Sequence, residues 1–365
     1  MFNVHGGDVF RLSRKLGCEP FDVLDFSSNI SPIATPGLSE LLCDAIEEIR
    51  YLPDTENLGL RTAMSRRYGL PHECFWPGGG TTEFIFAIPW TFRKEQAVIV
   101  SPTYADYETA AKRAGLSVCF VNGFLVDAEE NPSQLISSIL KVLTRPSLIF
   151  LCNPNNPTGC FLPRELLLSA ICAASREHLW VVDESYVQFV QNDSEASLLF
   201  ARPFPANLLV LRSFSKIYAV PGLRLGYLVG ESALIDRVVK ETAIPWNINR
   251  LAQVAGEYLL GQIGHEAHVR AFCQREKTFL LQEIRRMPWL RYLPGHTHFF
   301  MLQLEKGIRA ADLVFFLENN GVLVRNCHNF YGLNNSECIR ISPRKRHDNE
   351  RLVGLLNKMT MAIGV

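Results

Sequence analysis

The sequence predicts an α/β fold, a mostly parallel sheet between helices with a smaller α+β domain beside it. Six short apolar runs lead to this: Ala97–Val100, Val118–Val121, Leu148–Leu151, Leu179–Val182, Leu208–Leu211 and Gly226–Val229. None alternates with polar residues, so each reads as a strand covered on both faces. Helix-period segments lie between several of them. One runs from about Asp106 to Arg113 and stops at Gly115; another runs from near Pro163 to about Arg176. From Leu251 the pattern changes to long helical stretches. The strand candidates His298–Gln303 and Glu337–Ser342 follow, then a closing helix. A large domain is expected over 40–245, with 1–39 and 246–365 forming the small one. Pro245-Trp-Asn-Ile-Asn is the expected hinge.

Bulk properties exclude several function classes. With 37 basic and 37 acidic residues the chain carries no field suited to nucleic acid or a membrane surface. Its apolar stretches are strand-length, well under the ~18 residues of a membrane helix. Met1 to Asp8 has neither a basic nor an apolar export region, so a cytoplasmic enzyme is expected. The ten cysteines contain no Cys-x-x-Cys pair and read as reduced thiols. His265/His268 and His296/His298 lack cysteine or carboxylate companions at ligand spacing. They are expected on the surface, with no metal.

The stretch Arg212-Ser213-Phe-Ser-Lys216 through Arg224-Leu-Gly-Tyr holds the most chemistry. An amine able to form a Schiff base, with a hydroxyl and a guanidinium nearby for a phosphate, is what pyridoxal phosphate requires. Ser-x-x-Lys alone also occurs in serine acyl-transferases, but their Ser-Asp-Asn and Lys-Thr-Gly companions are missing. Asp183 closes the run Leu179–Val182, where a carboxylate beside a pyridine nitrogen would keep it protonated. Ligands of open α/β sheets sit at such carboxyl ends. Asn153-Pro-Asn-Asn156-Pro-Thr-Gly159 forms a rigid turn that can present Asn156. Gly78-Gly-Gly80-Thr81-Thr82-Glu83 opens a helix expected over Phe84 to about Phe92, a place for a phosphate. Tyr104 is placed to stack on a flat ring. Taken singly, each has an ordinary structural explanation; their order along one chain does not.

That order resembles the fold-type I pyridoxal-phosphate enzymes, the aspartate aminotransferase superfamily, over nearly the whole chain. The resemblance implies that Lys216 is the Schiff-base lysine and proton shuttle. It pairs Asp183 with the pyridine nitrogen, and Tyr186 and Asn156 with the ring hydroxyl. Gly80, Thr81, Thr82, Ser213 and Arg224 would hold the cofactor phosphate, and Arg340 the substrate carboxylate. The branch resembled contains histidinol-phosphate aminotransferases and threonine-phosphate decarboxylases. His5-Gly6-Gly7 and Asp25-Phe-Ser-Ser-Asn29-Ile-Ser-Pro favour the decarboxylases of cobalamin biosynthesis. On that resemblance His5, Gly6, Asn29, Asn156 and Arg325 join Arg340 around a phosphorylated amino acid, in a homodimer. Transamination of histidinol phosphate is the alternative. Two departures stand out: Tyr51 is one residue out of register in Arg50-Tyr-Leu-Pro-Asp54, and His298 replaces an asparagine usual in the branch.

Overall fold

The computed structural model describes residues 5–123, 131–190, 193–242 and 244–362. In chain order its strands are β1 Leu24–Asp25, β2 Phe75–Gly78, β3 Gln96–Ser101, β4 Ser117–Asn122, β5 Ser147–Cys152, β6 Leu179–Asp183 and β7 Leu208–Ser213. They continue with β8 Gly226–Gly230, β9 Leu290–Leu293, β10 Phe300–Leu304, β11 Val322–Leu323, β12 Arg325–Asn326 and β13 Cys338–Ile341.

The main sheet runs β2-β8-β7-β6-β5-β3-β4. Strands β3 to β7 are parallel, while β8 is antiparallel to both β7 and β2. Five of the six expected strands are buried along their whole length, as unalternating apolar runs require. The sixth, β4, is a correction: it lies at the edge, with Ser117 and Asn122 exposed. The opposite edge is β2, which carries Pro77, a residue an edge strand tolerates because one side of its ladder is unpaired.

Helices cover the sheet. Thr81–Phe92 starts three residues earlier than expected, while Asp106–Arg113 and Arg164–Ala173 fall on their predicted periods. Beyond the sheet, β12-β13-β10-β9 forms an antiparallel layer, and β1 pairs in parallel with β11. The β1–β11 pair ties the N-terminal segment to the C-terminal part of the chain. The apolar cores change over inside the helix His265–Ile284. Val269 and Cys273 pack with the main sheet, whereas Leu280 and Ile284 pack with β10 and β13. Helix Arg250–Leu260 also packs on the main-sheet core, so the cores divide later than residue 245.

The topology gathers one edge. Because β8 runs against β7, its first residue Gly226 lies opposite Ser213, the last of β7. Gly226 also faces Gly78 at the end of β2. The ends of β2, β5, β6 and β7 and the start of β8 thus meet. A Cβ on Gly226 would stand 2.8 Å from the Thr81 nitrogen and 3.0 Å from the Arg212 carbonyl oxygen, both backbone atoms that cannot rotate away. Gly226→Ala is therefore expected to destabilise the chain by about 1–3 kcal/mol and to loosen cofactor binding. Urea unfolding of the cofactor-free form and retention of pyridoxal phosphate on dialysis check the two effects.

Candidate active site

Two adjoining cavities lie at that edge. The smaller, about 170 Å³, is bounded by Gly80, Thr81 and Thr82 on one side and by Asp183, Ser213 and Arg224 on the others. The larger, about 530 Å³, opens beside it and reaches His5, Gly6, Asn29, Arg325 and Arg340. Tyr104, Asn156, Tyr186 and Lys216 line both and form the shared wall. Every residue singled out from the sequence for cofactor or substrate borders one cavity or both. Sequence reasoning missed Tyr107, Cys152, Ser185 and Ser215 in the smaller cavity and Asp25 and Asn329 in the larger. Tyr107 had a signal: it follows Tyr104 by three residues, one helical turn further on.

The smaller cavity fits pyridoxal phosphate. The helix Thr81–Phe92 begins without a side-chain cap, so its first N–H groups are free to bind an anion. Gly80 has φ 91°, a left-handed backbone conformation that favours glycine at the helix start. Asp183 is buried at the end of β6. The Tyr107 hydroxyl donates to its Oδ2 at 2.7 Å and the Ser185 N–H to its Oδ1 at 2.9 Å. Burial pushes the Asp183 carboxyl up, and those donors oppose it. A pyridinium proton would supply the missing cation. Tyr107 is itself fixed by stacking on Phe150 at 5.1 Å.

Lys216 is half-buried between the cavities, 6.0 Å from the Tyr186 ring centroid, and among the described residues its amine makes no hydrogen bond or ion pair. Burial, reinforced by the Arg340 guanidinium, pulls it down to about 8. An amine that is partly neutral near physiological pH is a competent nucleophile.

The larger cavity is cationic. Arg325 on β12 lies directly opposite Arg340 on β13, and both are buried. Burial and then Arg340 lower the Arg325 guanidinium to about 10. Arg340 donates to the Asn156 side-chain oxygen and, at 2.6 Å, to the Ser27 carbonyl. Its Nε has no partner among the described residues. Arg325 donates to Asn329 Oδ1 at 2.6 Å. No carboxylate stands within ion-pair distance of either among the described residues. Two like charges facing across a strand pair repel unless an anion bridges them. His5 closes another side, its Nε2 3.5 Å from Asp106 Oδ1 and its ring 5.2 Å from that of Tyr104.

Two expectations change. His265 and His298 are buried, not on the surface, while His268 and His296 are exposed. The His298 ring stacks on Phe189 at 3.7 Å, and burial with nearby Lys277 and Arg340 holds it well below the usual range, so it serves as a neutral aromatic in the core. No metal-ligating cluster exists among the described residues. Tyr51 is 72% exposed and borders neither cavity of its own chain. All ten cysteines are free thiols.

The chain belongs to the aminotransferase class I and II family, whose model matches residues 23–356. It is a pyridoxal-phosphate-dependent enzyme of the fold-type I class. It is similar to the threonine-phosphate decarboxylase of Salmonella typhimurium, 33% identical over 370 residues, covering 100% of this chain and 98% of that protein. It is also similar to the histidinol-phosphate aminotransferase of Desulfitobacterium hafniense strain Y51, at 29% identity over 93% of this chain and 92% of that one. Among solved structures, the L-threonine-O-3-phosphate decarboxylase of Porphyromonas gingivalis superposes with a TM-score of 0.81 at 26% identity. That match covers 92% of this chain and 99% of that one.

Two measurements bear on this site. Below its midpoint, the neutral fraction of the Lys216 amine falls about tenfold per pH unit. Capture of pyridoxal phosphate by cofactor-free protein, followed by visible absorbance, is expected to accelerate with pH and level off above about 8. A rate that is flat from about pH 6 to about pH 9 would contradict a neutral Lys216 as nucleophile. Asp183→Asn keeps the shape and removes the charge, so kcat is expected to fall by about two to four orders of magnitude. Steady-state kinetics of the cofactor-loaded variant checks this, and near-normal turnover would rule out the carboxylate as the pyridinium partner.

Proposed function

We propose that the enzyme decarboxylates L-threonine O-3-phosphate to (R)-1-aminopropan-2-yl phosphate and CO₂, as a step of cobalamin biosynthesis. The observation that carries this reading is the buried Arg325–Arg340 pair, facing His5 across one cavity, with Asp25 in the lining but no carboxylate within ion-pair distance of either arginine among the described residues. A small molecule bearing a carboxylate and a phosphate together supplies both counter-charges. Histidinol phosphate carries only the phosphate. The N-terminal segment adds support, since His5, Gly6 and Gly7 border the cavity and the Gly7 N–H donates to Ser27 Oγ at 2.7 Å. The 33% identity over the full chain to a threonine-phosphate decarboxylase points the same way.

The residues divide the work. Bound pyridoxal phosphate supplies an aldehyde for the substrate amine and an electron sink for the bond that breaks. Lys216 anchors it, and Asp183 keeps its ring nitrogen protonated. Gly80, Thr81, Thr82, Ser213 and Arg224 surround the cofactor phosphate, and Tyr104 flanks the ring. Arg340, with Nε free and both terminal nitrogens pinned to Asn156 and Ser27, holds the carboxylate in one orientation. Arg325 and His5 hold the substrate phosphate and thereby fix the rotation about Cα. When CO₂ leaves, the electron pair remaining at Cα takes a proton, and Lys216 in the shared wall is placed to deliver it. Fixing one rotamer among several is where the choice between losing CO₂ and losing the Cα proton is made.

The functional chain is proposed to be a homodimer. Ile46, Ile49, Tyr51, Leu52 and Leu58 form an exposed apolar row within one short segment, a patch of the kind that marks a protein interface.

Incubation of the loaded enzyme with phosphothreonine is expected to release CO₂ and the amino-alcohol phosphate, with plain threonine a poor substrate. Arg325→Ala should raise KM about tenfold or more and also lower kcat, because part of the phosphate's binding energy orients Cα. No CO₂ from phosphothreonine, with full conversion to the pyridoxamine form by histidinol phosphate, would replace this reading with the aminotransferase.

A further inference from the structure

Asn29 borders the larger cavity, but its amide is already engaged by protein. The hydroxyl of Ser342, a fully buried residue two positions beyond Arg340, donates to Asn29 Oδ1 at 3.0 Å. Asn29 in turn donates an Nδ2 hydrogen to the Tyr186 hydroxyl oxygen at 3.3 Å. An amide nitrogen only donates, so at this contact the tyrosine oxygen accepts. The phenolic proton must leave in another direction. The apolar side is closed by Phe299, whose ring meets that of Tyr186 edge to face at 5.0 Å. The open direction is the wall Tyr186 shares with Lys216 and Asn156.

We infer that Ser342 and Asn29 form a one-way hydrogen-bond relay that aims the Tyr186 proton into the cofactor cavity, making both of them positioning residues for the cofactor ring. This gives Asn29 a different task from meeting the substrate phosphate. It rests on the pyridoxal-phosphate site and not on which reaction follows.

The relay crosses the molecule. Ser342 follows β13, Asn29 follows β1, and Tyr186 follows β6, so three segments distant in sequence must be seated before the tyrosine is directed. The Ser342 N–H donates to the Phe26 carbonyl at 3.0 Å, which holds the first donor in place. Asp25 locks the intervening turn by accepting from the Ser27 N–H at 2.8 Å and the Ser28 N–H at 3.1 Å. The charged and titratable groups facing Tyr186 are Arg340 from β13, Tyr104 after β3, Cys152 and Asp183 from the ends of β5 and β6, and Lys216 after β7. None is altered in the variants below, so their influence is common to all of them.

A phenolic proton donated to the ring oxygen of bound pyridoxal phosphate stabilises the negative charge that oxygen carries once the cofactor–lysine imine loses its proton. The pH midpoint of the visible absorbance change therefore reads the relay with no substrate present. Asn29→Ala, Ser342→Ala and Tyr186→Phe are each expected to raise that midpoint, by about half a unit or more for Tyr186→Phe. In a Tyr186→Phe background the first two substitutions are expected to add nothing, the mark of residues acting through one group. An unchanged midpoint in both Asn29→Ala and Ser342→Ala, with a raised KM for phosphothreonine in Asn29→Ala, would overturn the relay and return Asn29 to the substrate phosphate. Shifts that persist in the Tyr186→Phe background would overturn it as well. A wild-type chain with no Lys216-dependent visible band would remove the cofactor site beneath the relay, a failure distinct from either of these.

Discussion

The clasp of Arg340 is the contact on which the rest of the site depends. One terminal nitrogen donates to Asn156 in the turn after β5, the other to the Ser27 carbonyl in the segment after β1. Arg340 itself sits on β13. Three pieces of chain that fold in different layers therefore converge on a single planar group. Its donors have fixed directions, so each piece must arrive at a set angle for the contact to form. A lysine would bring the charge without the geometry. Through Ser27 the clasp reaches the N-terminal segment, since the Gly7 N–H donates to Ser27 Oγ. A Cβ on Gly6 would lie 2.3 Å from the same Ser27 carbonyl oxygen, so only glycine lets that segment approach the group Arg340 binds.

Much of this was legible in the sequence, and for a definite reason. The main-sheet strands are short and largely apolar, so their ends are marked by the first polar residues: Asp183 after Leu179–Val182, Arg212 and Ser213 after Leu208–Leu211. In a parallel sheet those ends share an edge. Strand termini and the turns after them singled out Asp183, Asn156 and Tyr104, and the order of the motifs, through its resemblance to a known superfamily, supplied the rest of the cofactor residues. The edge strand β2 escaped because Phe75-Trp-Pro-Gly has too few residues and a proline. The exposed face of β4 escaped because position in a sheet is not encoded in the strand's own sequence.

The second domain was less legible. The expected runs His298–Gln303 and Glu337–Ser342 correspond to β10 and β13, but its other strands are two to four residues long, too short for periodicity to show, and β12 consists of Arg325 and Asn326 alone. That Arg325 faces Arg340 follows from a register between strands of different loops, a relation no local pattern carries. His298 misled for a related reason. A lone histidine between a threonine and two phenylalanines looks solvent-bound until the stacking partner Phe189 is known. Ser342 did have a local signal: it stands two residues after Arg340 near the strand end, and alternation puts i and i+2 on one face.

The division of the two cavities also separates chemistry from selectivity. The groups that hold and activate the cofactor come from the main-sheet edge, where burial and parallel topology leave little freedom. The groups proposed to meet the remainder of the substrate come from β12, β13 and the N-terminal segment, which contact that edge through Arg340 and a few hydrogen bonds. A family that keeps one cofactor and changes its reaction can therefore do so by altering how these outer segments present charge. What they control is the angle at which the substrate's bonds meet the ring. On the proposed reading Arg325 and His5 set the rotation about Cα, and because barrier height depends on that alignment, a change in how they meet the substrate would change which bond breaks. The sheet edge supplies the same activation in either case, so on that reading the reaction is chosen by the outer segments, whose short strands carry the least periodic sequence.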